Sequence, residues 1–385
     1  MGELPQADIP LPAEPLPAVH PRSFHEILPL LAERAEVLDR DGGLPDREVA
    51  LLHEAGLLDA PLPRVLGGEG WGNDPAAAPA LLDALRRIGR VSLPLGRLYE
   101  GHVNALRLVA GHGNPAQLRE AAADIRAGRL FGVWNSEPPE GLHLDGSQSA
   151  SRLRGRKIWC SGAGLVERAL VTARRGDEVQ MLLVPLPRGT ERADLDDWHP
   201  TGMRASATGT VDFNGLAVPA EWQIGEPGGY YRQPDFSAGA WRFLAVQLGG
   251  IEAVAEALRS QMRQSGRGAD PHQAARFGEV VTALETARLW VHQAAIHAEG
   301  RLADDDRTVA YVNLARGAVE RAGLEAVALA QRSIGLASFM RPHPVERVIR
   351  DLATYLRQPA PDRALTSAAA TVLSADTPLE DFWNA

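Results

Sequence analysis

The spacing of apolar residues changes twice along this chain of 385 residues. In residues 24–40 and 45–59, apolar positions recur three and four apart, as on one face of an α-helix. Residues 128–225 instead contain short β-favouring runs that are separated by Gly, Pro and Asp. From about residue 234 onward, segments long enough for bundle helices return. The sequence therefore predicts a mainly α protein in which helices flank a β middle domain.

These changes divide the chain into four segments. Residues 1–21 are rich in proline and predict a surface arm. Residues 22–127 predict an N-terminal helical domain, in which Asn114 has the residue type and position of a helix N-cap. Residues 128–230 predict a barrel-like or sandwich-like β domain, because several short strands follow one another without helices. Residues 231–385 predict a C-terminal helical bundle.

Composition argues against several classes of function. The formal net charge of −9 disfavours a nucleic-acid partner, which needs a basic surface. The single cysteine, Cys160, excludes an internal disulfide and is interpreted as a small buried apolar residue. His292 and His297 are five residues apart and do not share a helix face, so no metal site is expected. Without a long apolar run or a signal-like N-terminus, we expect a cytoplasmic protein with no membrane partner.

Residues 157–164, KIWCSGAG, combine an indole with a nearby hydroxyl. In a regular strand, Trp159 and Ser161 would face one side and Cys160 the other. The indole and the hydroxyl would then suit one edge of a planar heterocycle. On the pattern alone, however, ordinary core packing is the better explanation of Trp159.

Two further segments carry candidate functional groups. Trp134, Asn135 and Ser136 lie where a predicted strand enters a loop, a common position for binding residues, although a plain turn explains them equally well. Glu100 and His102 lie in an apolar helical stretch and are acid/base candidates, because histidine titrates near neutral pH. Residues two apart on a helix do not share a face, so a solvated glutamate and a hydrogen-bonded histidine are an equal alternative.

Five segments, in order, resemble signatures of the acyl-CoA dehydrogenase superfamily. They are residues 44–72, 133–141, 155–174, 202–225 and 343–352. Each match is modest alone, but five in order at sensible spacing are specific. The resemblance extends from about residue 24 to residue 373. It implies an N-terminal helical domain, a β-barrel-like middle domain and a C-terminal four-helix bundle, usually in homodimers or homotetramers.

The resemblance also implies FAD, with its isoalloxazine ring between the middle domain and the bundle. Ser136 takes the position of the superfamily's flavin-contacting hydroxyl, Trp159 that of its stacking indole, and Ser161 that of the threonine after it. Trp134 and Asn135 lie next to this contact and are candidates for cofactor binding too.

The segment for the adenine half of FAD is degenerate. Arg263, Arg267 and Gly335 are the remaining candidates there, and FMN is therefore the second choice of cofactor.

The residue that would remove a proton from an acyl thioester is missing. The superfamily's glutamate falls at Pro359 or, in some members, at Trp241, and neither can accept a proton. Loss of a positioned general base costs about 10²–10⁴ in rate. Pro359 and Pro361 also predict a helix break. We therefore expect weak or no dehydrogenation of simple fatty acyl-CoAs.

Three functions remain open. The first is a flavin-dependent oxidoreductase acting on an acyl thioester, bound to CoA or a carrier protein, or on a related small molecule, with a relocated base such as Glu100 or Asp362. The second is a monooxygenase of the same fold that uses reduced flavin and oxygen. Its candidate polar groups are Ser161, His102, Asn135 and Arg242. The third is a non-catalytic flavin-binding scaffold.

Overall fold

The computed structural model describes residues 22–147, 150–300 and 304–383. The predicted arm, residues 1–21, lies outside them. Helices make up the first part of the described chain. They are α1 (Phe24–Asp41), α2 (Asp46–Glu54), α3 (Ala78–Val91), α4 (Leu93–His112) and α5 (Pro115–Arg126). Asn114 caps α5 as predicted, because its side chain accepts hydrogen bonds from the backbone N–H groups of Ala116 and Gln117.

Strands form the middle part. They are β1 (Phe131–Trp134), β2 (Leu142–Ser147), β3 (Ala150–Cys160), β4 (Arg168–Arg175), β5 (Glu178–Pro185), β6 (Ala193–Asp194), β7 (Gly209–Asp212), β8 (Ala217–Val218) and β9 (Gln223–Ile224). The order across the sheet is β6-β7-β3-β2-β4-β5-β9, with β1 paired to β4 and β8 paired to β3. β1 runs parallel to β4, whereas β2 and β3 form an antiparallel pair.

Helices return after the sheet. They are α6 (Asp235–Ala238), α7 (Trp241–Ser265), α8 (Pro271–Gly300), α9 (Asp305–Ile334), α10 (Pro344–Tyr355) and α11 (Pro361–Leu373). Helices α7, α8 and α9 pack together, α11 packs on α9, and α3 of the first part packs on α7. The buried core is built mainly from Leu, Val and Ala and is continuous from the first helices through the sheet to the bundle.

Helix α10 contains two ion pairs between residues one turn apart. The Arg350 guanidinium lies 2.5 Å from Glu346, one turn away, and 2.7 Å from Asp39 of α1. Arg347 lies 3.5 Å from Asp351, again one turn away. The Asp351 carboxylate also accepts the backbone N–H of Met203 at 2.6 Å. The helix therefore ties the bundle to both the first helix and the middle part.

The predicted helix break separates α10 from α11. Ala360 has a φ of +52°, a left-handed conformation that is unfavourable for a residue with a Cβ. Pro361 follows at the first position of α11, where the missing proline N–H leaves no hydrogen bond unmade. The chain thus turns sharply at Pro359 and Ala360, and this turn forms part of the candidate site.

Candidate functional site

A cavity of about 490 Å³ lies between α4, α6, α7, α9 and the break before α11. Its apolar wall includes Leu108, Val133 and Phe243. Its charged and amide lining groups are Glu100, Asn104, Arg107, Gln233, Asp235, Arg242, Asn313, Arg316, Gln358 and Arg363. Pro359 and Ala360 line it as well, so the position at which the superfamily resemblance puts a glutamate does face this cavity.

Charged groups of α4 and α7 are linked across the cavity. Glu100 accepts hydrogen bonds from Arg97, at 2.7 Å, and from the Asn104 amide. The Asn104 carbonyl oxygen in turn accepts a hydrogen bond from Arg242 Nε at 2.5 Å. Glu100 and Arg242 are both almost completely buried. The candidate base Glu100 is therefore engaged by an arginine and an amide.

A second buried carboxylate, Glu299 of α8, completes the network. It accepts hydrogen bonds from Trp241 Nε1 at 2.8 Å, Arg242 Nη1 at 3.0 Å and Arg107 Nη1 at 2.8 Å. Arg107 also contacts Asp235 at 2.8 Å. Trp241, which occupies the second position for a superfamily glutamate, thus donates a hydrogen bond to a carboxylate supplied by another helix.

Burial lowers the pKa of Arg242 to about 10, with the Arg107 charge acting in the same direction and Glu299 opposing it. A guanidinium with a pKa near 10 still carries its charge at neutral pH. Its Nη2 group has no hydrogen-bond partner among the described residues. Arg242 therefore offers a fixed positive donor at the cavity wall.

His102 lies on a different face of α4 from Glu100 and does not line the cavity. The ring is completely buried, its Nδ1 accepts the backbone N–H of Phe131 at 3.1 Å, and its Nε2 lies 2.9 Å from the Leu58 carbonyl oxygen. Burial lowers the pKa of His102 to about 4. Both nitrogens are used within the fold, and this environment favours the hydrogen-bonded alternative over an acid/base role.

Trp159 is the most unusual residue of the middle part. Its φ is +54°, and 68% of the residue is exposed. The pairing of β3 with β7 is irregular between Lys157 and Cys160, and the regular alternation is broken there, because Lys157 is buried whereas Trp159 is exposed. Cys160 is nevertheless fully buried, and burial raises the pKa of its thiol, as suits an inert apolar residue.

The loop after β1 lies next to Trp159. Ser136 is exposed, and its carbonyl oxygen accepts the Ile158 N–H at 3.0 Å. Trp134 is buried, and its indole N–H donates to the Ser161 carbonyl oxygen at 3.0 Å. Trp134 therefore positions the backbone at Ser161 rather than offering a free ring face.

Asn135 connects this loop to the cavity. Its Oδ1 accepts hydrogen bonds from Thr172 at 2.7 Å and from the Tyr231 hydroxyl at 3.1 Å. The Tyr231 ring packs against Tyr230 and Phe236, and both of these line the cavity. The predicted cofactor residues and the cavity are thus adjoining parts of one region.

Lys157 is a buried charge that was not predicted as a site residue. Its Nζ contacts Glu137 at 2.7 Å, Thr172 at 3.0 Å and the Asn135 carbonyl oxygen at 3.1 Å. Burial lowers the pKa of Lys157, and Glu137 opposes this shift. The lysine fixes the Asn135 backbone and so holds the loop in place.

Arg263, Arg267 and Gly335 lie away from the cavity, whereas Asp362 lies beside its lining residues at the start of α11. Arg263 is exposed near the end of α7, about 30 Å along the helix from Arg242. Arg267 donates to the Ser333 carbonyl oxygen at 3.2 Å. Gly335 has a φ of +81° at the end of α9, and Asp362 is exposed in the first turn of α11. Arg263, Arg267 and Gly335 therefore do not come together with the cavity within one chain. Asp362 is next to the lining residue Arg363 in the sequence but does not line the cavity itself.

The middle part fits the edge of a flavin ring. Trp159 exposes an indole face, Ser136 is exposed, and Ser161 is half-buried with its hydroxyl 3.5 Å from Thr208 Oγ1. A planar ring placed here would gain stacking and hydrogen-bond donors. In the described parts of the chain, no three His, Cys, Asp or Glu side chains are grouped to hold a metal ion. The described helices likewise include none long and apolar enough to span a membrane.

No protein-family model matches the chain, but it is similar to several curated proteins. Dibenzothiophene monooxygenase of Mycolicibacterium goodii is 26% identical over 291 residues, which cover 67% of this chain and 68% of the relative. The probable FMNH2-dependent monooxygenase SfnC of Pseudomonas putida is 25% identical, with 74% and 75% covered. The short-chain acyl-CoA dehydrogenase of Clostridium acetobutylicum is 23% identical, with 85% and 88% covered.

Solved structures agree in fold along nearly the whole chain. TdsC from Paenibacillus sp. A11-2, in complex with FMN and indole, superposes with a TM-score of 0.78 at 21% identity and covers 93% of this chain and 99% of its own. Methanesulfinate monooxygenase MsuC from Pseudomonas fluorescens gives a TM-score of 0.77 at 21% identity, with 93% and 97% covered. With its helical domain, β middle domain and helical bundle, the chain therefore has the acyl-CoA dehydrogenase-like fold.

Proposed function

We propose that this chain is a flavin-dependent monooxygenase that uses reduced flavin and dioxygen to oxygenate a small organic molecule in the cavity. The sequence put an oxidoreductase acting on an acyl thioester first and the monooxygenase second. The curated relatives reverse this order, because monooxygenases are prominent among them while the acyl-CoA dehydrogenase is less similar. Their names cover different substrates, so they do not identify the substrate of this chain.

One observation carries the proposal: neither of the two carboxylates among the described lining residues is free of an ion pair. Among the described lining residues, Glu100 and Asp235 are the carboxylates, and each is ion-paired, with Arg97 and Arg107 respectively. Both carboxylates are thus engaged by guanidinium groups, and Glu100 is also almost completely buried. A dehydrogenase that removes an α-proton needs a base within hydrogen-bond distance, whereas oxygenation by reduced flavin does not.

The chain's own residues would bind and orient the reactants. Reduced flavin, when bound, supplies the two electrons with which dioxygen gives one oxygen atom to the substrate and the other to water. Trp159 would stack on the ring and the Ser136 and Ser161 hydroxyls would hydrogen-bond its edge. Arg242, fixed by Asn104 and Glu299, would stabilise negative charge that develops in the cavity.

We propose FMN rather than FAD as the flavin. Arg263 and Arg267, the candidates for the adenine half, lie at the far end of α7, and Arg267 is already bonded to the Ser333 carbonyl oxygen. FMN is also the flavin in the TdsC complex. A fluorescence titration of the purified protein with each flavin tests this proposal. FMN should bind at least about tenfold more tightly, and equal affinities would restore FAD as the first choice.

An oxygen-labelling experiment tests the function itself. The protein is mixed with FMN, a flavin reductase, NADH and ¹⁸O₂, and then with indole, dibenzothiophene or methanesulfinate. We expect one ¹⁸O atom in at least one product, detected by mass spectrometry. Arg242→Gln should lower the product formed per NADH by about 10–100-fold and leave FMN binding unchanged. Arg288→Gln, on the surface of α8, is the matched control and should behave as the wild type.

Two results would overturn the proposal. Fast ferrocenium-coupled oxidation of butyryl- or octanoyl-CoA by the oxidised flavoprotein would indicate a dehydrogenase instead of a monooxygenase. Absence of any saturable flavin binding would favour the scaffold alternative.

A further inference from the structure

Arg316 of α9 is a cation in the cavity without an ion pair among the described residues. The other lining arginines of α4 and α7 each contact a carboxylate: Arg107 contacts Asp235 and Glu299, and Arg242 contacts Glu299. The charge of Glu320 acts to raise the pKa of Arg316. The Glu320 carboxylate, however, lies 2.7 Å from Arg357 and forms its ion pair with that residue. Arg316 therefore differs from the lining arginines of α4 and α7, whose charges are matched by carboxylates.

Most donor groups of Arg316 are unused. A guanidinium has five N–H donors. Nη2 donates to the Pro359 carbonyl oxygen at 2.7 Å, and Nη1 lies 3.5 Å from Asn313 Oδ1. Nε is buried and has no partner. Burial lowers the pKa of Arg316, yet arginine stays charged at neutral pH. A partly desolvated cation with unmet donors is unfavourable until an anion joins it.

A second cation reinforces the first at the same end of the cavity. Arg363 of α11 lines the cavity near the helix break, is exposed, and has no ion pair among the described residues. Its charge acts on Arg316 in the direction that lowers the Arg316 pKa, so the two guanidinium groups repel each other. Arg316 and Arg363 are thus two lining arginines without ion pairs among the described residues, which leaves an excess of positive charge near the helix break.

Apolar groups surround this positive end. The Arg316 Cζ atom lies 5.9 Å from the centre of the Phe243 ring, and Leu108, Val309 and Ala364 line the same cavity. Sites of this kind take an apolar body and fix it by a few charged or polar groups. The forked guanidinium suits a group with two equivalent oxygens, such as a carboxylate, because both oxygens can accept hydrogen bonds.

We propose that the substrate is a small organic anion, an apolar body that carries a carboxylate, sulfinate or sulfonate group bound by Arg316. This inference rests on the proposed oxygenase function and names its class of substrate. Arg363 adds positive charge at the cavity mouth and attracts the anion, whereas Arg316 supplies the directed hydrogen bonds.

A pair of probes with nearly the same shape tests the charge requirement. Benzoate and benzamide are titrated into the protein loaded with oxidised FMN, and the change in flavin absorbance gives each Kd without turnover. Benzoate should bind at least about tenfold more tightly than benzamide. Benzenesulfinate and benzenesulfonate, each compared with benzenesulfonamide, then show which acidic group is preferred.

Variants of Arg316 assign the preference to this residue. Arg316→Gln keeps a donor for the Pro359 carbonyl but removes the charge, and it should abolish the preference for benzoate while benzamide binds as before. Arg316→Lys keeps a charge without the fork and should retain an intermediate preference. Arg288→Gln is the control arginine outside the cavity and should keep the full preference.

The outcomes separate this inference from the proposed function. Equal affinity of the wild type for benzoate and benzamide, or a preference that persists in Arg316→Gln, overturns the anion site. If the variants do not fold, the wild-type comparison alone decides. Anion preference without any ¹⁸O incorporation would contradict the oxygenase function but support the anion site. Oxygenation of neutral compounds alone would support the oxygenase function but contradict the anion site.

Discussion

At the residue scale, Trp159 shows two unfavourable properties together. A non-glycine residue with positive φ costs about 1–2 kcal/mol. Exposure of 68% of a tryptophan leaves a large apolar surface in water. Neither property helps the fold by itself, and strained residues concentrate at sites that bind ligands. The pair of observations favours a stacking role for this side chain over core packing.

Removal of the Trp159 ring should therefore weaken flavin binding and not folding. We expect Trp159→Ala to raise the Kd of FMN by about tenfold, because aromatic stacking contributes about 1 kcal/mol or more. Fluorescence titration measures the Kd, and urea unfolding should show a stability equal to or above that of the wild type. Trp159→Phe keeps a ring and should lie in between. Unchanged FMN affinity with lost stability would instead indicate a packing residue.

The role of His102 is a second question at the residue scale, and the sequence alone could not decide it. A histidine near a glutamate in a helix suits an acid/base pair, and the sequence carries no information on which backbone atoms will surround the ring. The structure surrounds it with the Phe131 N–H and the Leu58 carbonyl, which come from distant positions in the chain. The separation of Glu100 and His102 by two residues was more informative, because residues two apart do not share a helix face.

At the element scale, α4 contains a local signal that sequence reasoning missed. Glu100, Asn104 and Arg107 are spaced four and three residues apart, so they share a face of the helix, and all three line the cavity. This polar stripe in an otherwise apolar helix could have identified the site wall. Glu299 and Arg316 gave no such signal, because only the packing of α8 and α9 brings them to the site.

The break between α10 and α11 provides a test of the missing base. Pro359→Glu would introduce a carboxylate at the position where the superfamily resemblance has its glutamate. Because Arg316 donates to the Pro359 carbonyl, we expect the new carboxylate to pair with Arg316. Octanoyl-CoA oxidation, measured with ferrocenium, should stay close to the wild-type level, and the preference for benzoate should fall about tenfold or more.

The proline substitution has a matched control in Pro359→Gln, which has the same shape as glutamate but no charge. This variant should keep the preference for benzoate. Fast octanoyl-CoA oxidation by Pro359→Glu alone would mean that the site needs only a base to become a dehydrogenase.

Helix α10 gives a pH-dependent prediction. Burial raises the pKa of the Asp351 carboxyl to about 6, above its usual 3.8, although Arg347 and the Met203 N–H oppose this shift. The folded protein therefore binds a proton more tightly than the unfolded chain, and the stability from this group falls as pH rises from about 4 to about 6. Relative to Asp351→Asn, the wild type should lose about 3 kcal/mol of unfolding free energy across this range.

Urea unfolding at several pH values between 4 and 7 measures that difference. Asn keeps an acceptor for the Met203 N–H, and Asp362→Asn on the exposed start of α11 serves as the control with no such trend. A difference between wild type and Asp351→Asn that stays constant with pH would show that the carboxyl is ionised throughout.

At the scale of the whole molecule, the order of helices, strands and helices was predictable because apolar spacing is a local property of the chain. The order of strands in the sheet was not, since β1 lies parallel to β4 and β3 pairs with β2, β7 and β8. These pairings join residues far apart in sequence. The cavity depends on them too, because Val133 of β1 meets helices from both ends of the chain.

The outer face of α8 is a candidate contact surface for the predicted homo-oligomer. Val281, Leu289 and Ile296 are exposed and spaced eight and seven residues apart, so they form one apolar stripe along the helix. Beside it, α8 and α9 line a groove of about 610 Å³ with small residues such as Gly278 and Ala318. Small residues let another backbone approach closely, and we infer that a second copy of this chain packs here.

Charges placed on the stripe should therefore separate the copies. We expect the double variant Leu289→Lys and Ile296→Lys to lower the mass measured by multi-angle light scattering at micromolar concentration to that of a monomer, about 41 kDa. Both side chains are exposed in the single chain, so the fold should persist, as circular dichroism would show. Leu365→Lys, on exposed α11, is the control and should keep the wild-type mass. A monomeric wild type, or an oligomer that survives the double substitution, would contradict this use of the α8 face.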